Sequence, residues 1–293
     1  MQIYAKSRLN QNMYDKIKKG ADAIEVHLDS DYIEEFERAG LELKKSVPIR
    51  VVHAPLFDGC DTPIENMAGR EALRNACEIA ADIARIQKHP IIVVCHLETH
   101  PNLLKKLGVY DTIVNYIKWI VDAYPDIEIA IENVHHFKII DKELRFREVD
   151  GMASIILAKD INHPRVGTCL DICHALMESR FSKAVVDYLD GVDVKYNESK
   201  LGNGLSSYFK ENKDTIKLIH LATTKSHGCK HDHGLPFEKD DKMLLEGILE
   251  LYDMYNFEGT PITIEVKEDD YTNGINFEKT NKLLRKILKE KEK

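Results

Sequence analysis

Eight short apolar, β-branched runs recur along the chain, and an amphipathic stretch follows each one. The runs are Gln2–Ala5, Ala23–Leu28, Ile49–His53, Ile91–His96, Ile127–Glu132, Val166–Asp171, Ile216–Leu221 and Ile262–Val266. A strand with one wet face alternates apolar and polar residues. Near-continuous runs such as IIVVC instead fit strands buried on both faces of a parallel sheet. The intervening stretches show apolar residues at i, i+3 and i+4, the spacing of a helix with one buried face. They are Asn12–Lys19, Asp31–Ala39, Ile64–Gln87, Leu103–Ala123, Asp150–Lys159, Cys173–Tyr188, Asp240–Tyr255 and Phe277–Glu290. Eight strand–helix units predict an α/β fold, a (β/α)8 TIM barrel, with residues 1–293 as one domain. The competing arrangement is an open doubly wound sheet. The eight regular units and the lack of a GxGxxG turn favour closure.

Composition narrows the function classes. Lys plus Arg is 41 and Asp plus Glu is 49, a net charge of −8, which speaks against a general nucleic-acid coat protein but leaves a local basic patch open. No apolar run approaches the roughly 20 residues of a membrane helix. The opening stretch MQIYAKSRLNQNMYDKIKKG has no apolar centre, so no secretory signal is expected. Cys60, Cys77, Cys95, Cys169, Cys173 and Cys229 form no CxxC pair, and a reduced cytoplasmic setting is the expectation. Cys95 and Cys169 lie inside strand runs and read as buried packing. Cys173 begins a helix and is a weak candidate nucleophile.

The chemistry sits at the strand ends. The third run stops at His53, the fourth at His96, the fifth at Glu132 and the sixth at Asp171, with His174 three residues on. The seventh carries His220 and the eighth Glu265. In a closed parallel barrel the C-terminal ends converge on one mouth. So many carboxylates are costly to desolvate together unless cations neutralise them. Imidazole mixed with carboxylate suits zinc, manganese or iron. Taken singly, each residue has a plainer explanation: a hydrogen-bonded structural histidine, or an acid capping a helix, as Asp171 could cap the helix near Cys173. Six consecutive strand ends of ligand type are harder to explain that way.

After the seventh run, HLATTKSHGCKHDHGLPF supplies His231, Asp232 and His233 as further candidates, against a polar surface loop as the alternative. His27, His89, His100, His135, His136, His163 and His227 read as structural or surface histidines, with His100 and His135 near the mouth. Two long connections stand out. Asn133–Val149 carries Lys138, Arg145 and Arg147, and Gly191–Asp214 is rich in Gly, Asn and Ser.

The sequence resembles the xylose-isomerase-like TIM barrel superfamily (AP endonuclease family 2), which includes endonuclease IV and sugar phosphate isomerases and epimerases. VVHAPLF, VVCHLE, IAIEN, RVGTCLDICHA, LIHLA, HDHGLP and PITIEV carry the resemblance, in order over essentially the whole chain. It implies a central metal on Glu132, Asp171, His220 and Glu265. The endonuclease IV branch adds a second metal on His53 and His96 with Glu132 bridging, and a third on His174 and His233. The Asp of that branch's Asp-x-His pair falls here on His231, or on Asp232 if the loop shifts by one. The nuclease branch's glycine-rich N-terminal signature is absent, and ADAIEVHL looks more like the isomerase branch. Leu56 and Phe57 stand where the nuclease branch wedges into DNA.

Two enzymatic functions follow. The favoured one is metal-assisted phosphoester hydrolysis, with one to three Zn or Mn ions per chain, Glu132 bridging, and Lys138, Arg145 or Arg147 meeting phosphate. The ligand count argues for it. The alternative is a sugar or sugar-phosphate isomerase or epimerase, in which Glu132 and Glu265 act as acid and base through an enediolate and His174 binds a hydroxyl. The expected partners are a small phosphorylated or sugar substrate, or damaged DNA, and no membrane. A barrel that keeps a structural metal only as a scaffold is the third and weakest option.

Overall fold

The structure is a computed structural model and describes residues 1–8, 13–28, 45–57, 60–61, 63–135, 137–140, 143–146, 151–177, 210–211, 213–224, 234–241, 245, 247–249, 252–253, 259–270 and 273–291. Eight parallel strands close into a barrel. They are β1 (Ile3–Arg8), β2 (Ala23–His27), β3 (Ile49–His53), β6 (Ile91–His96), β7 (Ile127–Glu132), β10 (Val166–Asp171), β11 (Ile216–Leu221) and β12 (Ile262–Ile264). The order around the barrel is β1, β12, β11, β10, β7, β6, β3, β2, so every strand has two hydrogen-bonded neighbours and no edge is left open. This is a (β/α)8 TIM barrel. Two small antiparallel hairpins decorate it: β4 (Leu56–Phe57) with β5 (Cys60–Asp61), and β8 (Phe137–Ile140) with β9 (Glu143–Phe146).

The outer layer holds α1 (Met13–Lys18), α2 (Met67–Gln87), α3 (Pro101–Lys106), α4 (Tyr110–Ala123), α5 (Ala153–Ile161) and α6 (Ile275–Lys291). Their apolar stripes and the outward faces of the strands form the main core. Asn66 caps α2 by accepting from the Gly69 N–H at 2.6 Å. The continuous helix expected over Leu103–Ala123 is two helices, because Gly108 turns left-handed at φ 71° between them. The first strand runs three residues past its expected end, to Arg8, and the last stops at Ile264, so Glu265 sits just beyond it. The 133–149 connection carries the β8–β9 hairpin. The expected helix Asp31–Ala39 lies outside the described residues, as do residues 178–188 of the expected helix Cys173–Tyr188 and residues 242–244, 246, 250–251 and 254–255 of Asp240–Tyr255. Residues 172–177 are helical. Among the described residues no helix is long and apolar enough to cross a membrane.

Side chains alternate across a strand, so inward-facing residues stack in layers two apart along each strand. Tyr4, Ala23, Val51, Val94, Ala130, Cys169 and Leu218 form one apolar layer inside the barrel. Two residues further toward the C-terminal ends stand Lys6, Glu25, His53, His96, Glu132, Asp171 and His220. Glu265 follows Thr263 in the same way. The candidate site is therefore the next layer up, resting on a dry floor.

Register makes some of these residues direct neighbours. Lys6 pairs with Glu25, His96 with Glu132, and Asp171 with His220. The strands also approach closely beneath them. A Cβ on Gly167 of β10 would lie 2.2 Å from the Thr215 carbonyl oxygen and 2.8 Å from Lys217 Cγ. Since the first of these is backbone, Gly167→Ala is expected to cost about 1–3 kcal/mol of stability through overpacking. Chemical denaturation measures this, and an unchanged midpoint would show that the β10–β11 seam relaxes freely.

Candidate active site

Glu132 is the hub of the mouth. Its Oε2 lies 3.2 Å from His53 Nε2, 3.0 Å from His96 Nε2 and 3.4 Å from His220 Nδ1. Its Oε1 faces His174 Nδ1 at 3.4 Å. His53 Nδ1 donates to the Ala54 carbonyl at 2.9 Å, which turns Nε2 toward the carboxylate. His174 Nδ1 likewise sits 2.8 Å from the Asn133 carbonyl. Asn133 bonds the Asp171 backbone through both of its amide atoms, at 2.7 and 3.0 Å, and so ties the end of β7 to the end of β10.

Asp171 serves in two ways. Its Oδ1 accepts the His174 N–H at 2.8 Å and caps the short helix after β10, while the residue also belongs to the ligand cluster. Glu265 Oε2 lies 2.9 Å from His220 Nδ1, and its Oε1 is 2.6 Å from Lys6 Nζ. Lys6 Nζ is also 3.7 Å from Glu25 Oε1, and Glu25 Oε2 is 2.9 Å from His220 Nε2.

Three sets of possible ligand atoms among the described residues each lie within 4.8 Å of one another. They are His53, His96 and Glu132; Glu132, Asp171, His220 and Glu265; and Glu132, Cys169 and His220. The first two are the sets expected for the second and central metals. His174 stands beside them but joins neither. His231, Asp232 and His233 fall outside the described residues, as do His227 and Arg147.

A divalent cation fits what is here. His220 Nδ1 and Glu265 Oε2 are buried and face each other at 2.9 Å, yet neither has a hydrogen-bond partner. Glu25, Glu132, Asp171 and Glu265 bring four carboxylates against the one ammonium of Lys6. Burial lowers His220, but Cys169 and the carboxylates of Glu25, Glu132 and Glu265 hold it well above its ordinary range, so with His220 and Lys6 both positive, two of the four negative charges are left to offset. Such buried orphan atoms and surplus charge are costly unless something positive sits among them.

Charge coupling dominates the titration. Burial raises Glu132, but the imidazoles of His96 and His220 outweigh it and hold the carboxyl well below its ordinary range. Burial likewise raises Glu265, and Lys6 and His220 bring it well below. Burial lowers Lys6, and the carboxylates of Glu265, Glu25 and Glu132 more than reverse that. The cysteines beside the site, Cys95, Cys169 and Cys173, are inert. Burial pushes the Cys95 thiol up to about 12 and raises Cys169 too. Cys173 is buried and donates to the Thr223 carbonyl at 3.5 Å, so it is no nucleophile.

Exposure shows where the cluster opens. Side-chain exposure is 20% at Glu265 and 12% at both Lys6 and His174, against 2% at His53, Glu132 and Asp171. A ligand entering from solvent meets the first three.

Reasoning from strand ends missed Lys6 and Glu25, and left His27 as structural although its ring stacks on His53 at 4.8 Å between centroids. The signal was present. A lysine inside IYAKSR and a glutamate inside AIEVH interrupt runs otherwise fit for burial on both faces. Both sit mid-strand because β1 and β2 run on for two residues past the site layer.

A closed eight-stranded parallel barrel with carboxylates and imidazoles gathered at its C-terminal mouth defines a class of barrel enzymes. The chain belongs to the xylose isomerase-like TIM barrel family, whose model matches residues 17–289. No curated protein matches it by sequence. Among solved structures it is similar to the 3-keto-D-glucoside 4-epimerase of E. coli, with TM-score 0.59 and 12% identity over 98% of this chain and 99% of that one. It is also similar to the probable 3-DHS dehydratase of Bacillus anthracis, with TM-score 0.59 and 13% identity over 97% and 99%. D-allulose 3-epimerase of Methylomonas sp., in complex with D-allulose, superposes with TM-score 0.56 and 12% identity over 100% and 96%. At such identities the likeness is one of fold.

Near the mouth, Glu65 accepts the Glu98 N–H at 2.6 Å through Oε1, while its buried Oε2 has no hydrogen-bond partner. Burial pushes this carboxyl from 4.5 up to about 7. Between those values the folded chain holds a proton that the unfolded chain has lost, so stability falls as pH rises through the window and is level above it. Glu65→Gln keeps the acceptor and removes the titration. It is expected to flatten that part of the stability–pH curve in urea denaturation, and an unaltered slope would mean that Glu65 is not the group responsible.

Proposed function

We propose that the protein is a divalent-cation-dependent isomerase or epimerase of a small sugar or sugar phosphate. The observation that carries this is the cluster of Glu132, Asp171, His220 and Glu265, with an orphaned nitrogen and oxygen facing each other inside it. Family membership and the sugar epimerases among the similar folds support it. They reverse the order suggested by ligand count, which had put phosphoester hydrolysis first. Those relatives give no support to damaged DNA as a substrate.

Glu132, Asp171, His220 and Glu265 would hold the cation. When bound, it supplies polarisation of a substrate carbonyl and its neighbouring hydroxyl, which acidifies the C–H between them. Glu265 is the accessible carboxylate. Lys6 keeps it ionised, so in the free protein it is ready to accept a proton. Glu132, enclosed by four imidazoles, is the second carboxylate of the acid/base pair. His174, at the open side and held by the Asn133 carbonyl, would receive a substrate hydroxyl. The apolar layer below excludes water from beneath the reacting carbons.

One observation favours metal-assisted phosphoester hydrolysis as a second function. His53, His96 and Glu132 make a further ligand set that a single cation does not need. Lys138 and Arg145, the expected phosphate partners, belong to the β8–β9 hairpin beyond β7.

Zn or Mn added to metal-stripped protein is expected to raise its melting midpoint, by the equivalent of about 2.7 kcal/mol at a hundredfold excess over Kd. No shift with either ion would remove the cation from this account. With metal restored, a ketose and ketose-phosphate panel in D2O is expected to show deuterium entering next to the carbonyl. Hydrolysis of a phosphoester without exchange would establish the second function instead. Glu265→Gln and Asp171→Asn are each expected to cost about a hundredfold or more in rate while the barrel stays folded. Full activity in either variant would overturn the central assignment.

A further inference from the structure

Resting on the cation site proposed above, we infer that Glu25 is a positioning residue for it: by accepting a hydrogen bond from His220 Nε2, Glu25 decides which nitrogen of that ring faces the metal-binding carboxylates. Glu25 Oε2 lies 2.9 Å from Nε2, and both side chains have no exposed surface. The contact joins residues 195 apart in sequence. It also crosses the barrel interior, since β12 and β1 separate β11 from β2 around the wall.

A neutral imidazole carries one N–H and one lone pair. Carboxylates face both ring nitrogens; with a cation among Glu132 and Glu265, the one hydrogen left on the ring goes to Nε2, against Glu25, and the lone pair to Nδ1. Nδ1 then points at Glu265 Oε2, 2.9 Å away, and Glu132 Oε2, 3.4 Å away, which is where an imidazole ligand has to aim. The opposite tautomer would spend the hydrogen on those carboxylates and leave no lone pair for a cation. Carboxylates that hold a ligand histidine in this way also raise its basicity.

Lys6 completes the arrangement. Its ammonium lies between Glu25 Oε1 at 3.7 Å and Glu265 Oε1 at 2.6 Å. One cation thus anchors the carboxylate behind His220 and the one in front of it. Paired register between Lys6 and Glu25 on neighbouring strands keeps that spacing.

The experiment titrates Co(II) into metal-stripped wild type, Glu25→Gln and Glu25→Ala, following heat and the visible absorption of the bound ion. Glu25→Ala is expected to bind about 10–100-fold more weakly, with a changed absorption band. Glu25→Gln, of the same shape and still able to accept from Nε2, should fall between it and wild type. In a His220→Ala background, Glu25→Gln should change the affinity no further. A merely structural Glu25 would lower the melting midpoint of the metal-free protein without moving the cobalt spectrum. Wild-type affinity and spectrum in Glu25→Ala, or in Glu25→Met should the alanine variant fail to fold, would overturn the positioning role, because neither side chain can accept from Nε2. Wild type that takes up no cobalt at all would instead overturn the cation site, and this role with it.

Discussion

The desolvated charge at one end of the barrel is the constraint around which the rest of the molecule is arranged. Four carboxylates in a closed ring of strands repel one another strongly where water is scarce. The chain answers with Lys6 inside the ring and with imidazoles around Glu132, of which His53, His174 and His220 each have a second polar contact and His96 packs edge-on against His53. Among the atoms this leaves unsatisfied are His220 Nδ1 and Glu265 Oε2, which face each other. A fold that tolerates such a pair at its centre is suited to holding a cation there.

The scaffold makes that tolerable. A mostly apolar layer lies directly beneath the charged one, and a continuous hydrophobic shell joins strands to helices outside it. Glu25, His220 and Glu132 are enclosed almost completely, while Glu265, Lys6 and His174 keep an open side. Buried members fix geometry and accessible members meet the ligand, so rigidity and access are divided between different residues of one cluster.

How legible this was differs from element to element. Ile91–His96, Ile127–Glu132 and Val166–Asp171 stand where their apolar runs end, because burial on both faces writes the strand into composition directly. The helix break at Gly108 was hidden, since the apolar spacing continues across it and only the left-handed turn interrupts the hydrogen bonds. His53, His96, Glu132, Asp171 and His220 were conspicuous as polar ends of apolar runs, and they meet at the mouth. Lys6 and Glu25 were not conspicuous. Their strands extend beyond the site layer, and depth in a barrel depends on stagger between strands, which no single strand reveals.

By itself, then, the sequence determined the period of the fold, the number of strand–helix units and the residue types that cap most strands. These follow from local rules, since alternation, amphipathic spacing and the cost of burying a polar group are all properties of neighbouring residues. Tertiary structure alone decided that the sheet closes, that Glu25 reaches across the interior to His220, and that Glu265 is the open carboxylate and Glu132 the enclosed one. Those outcomes depend on register and curvature summed over eight strands, and side chains far apart in the chain learn their partners only when the ring is complete.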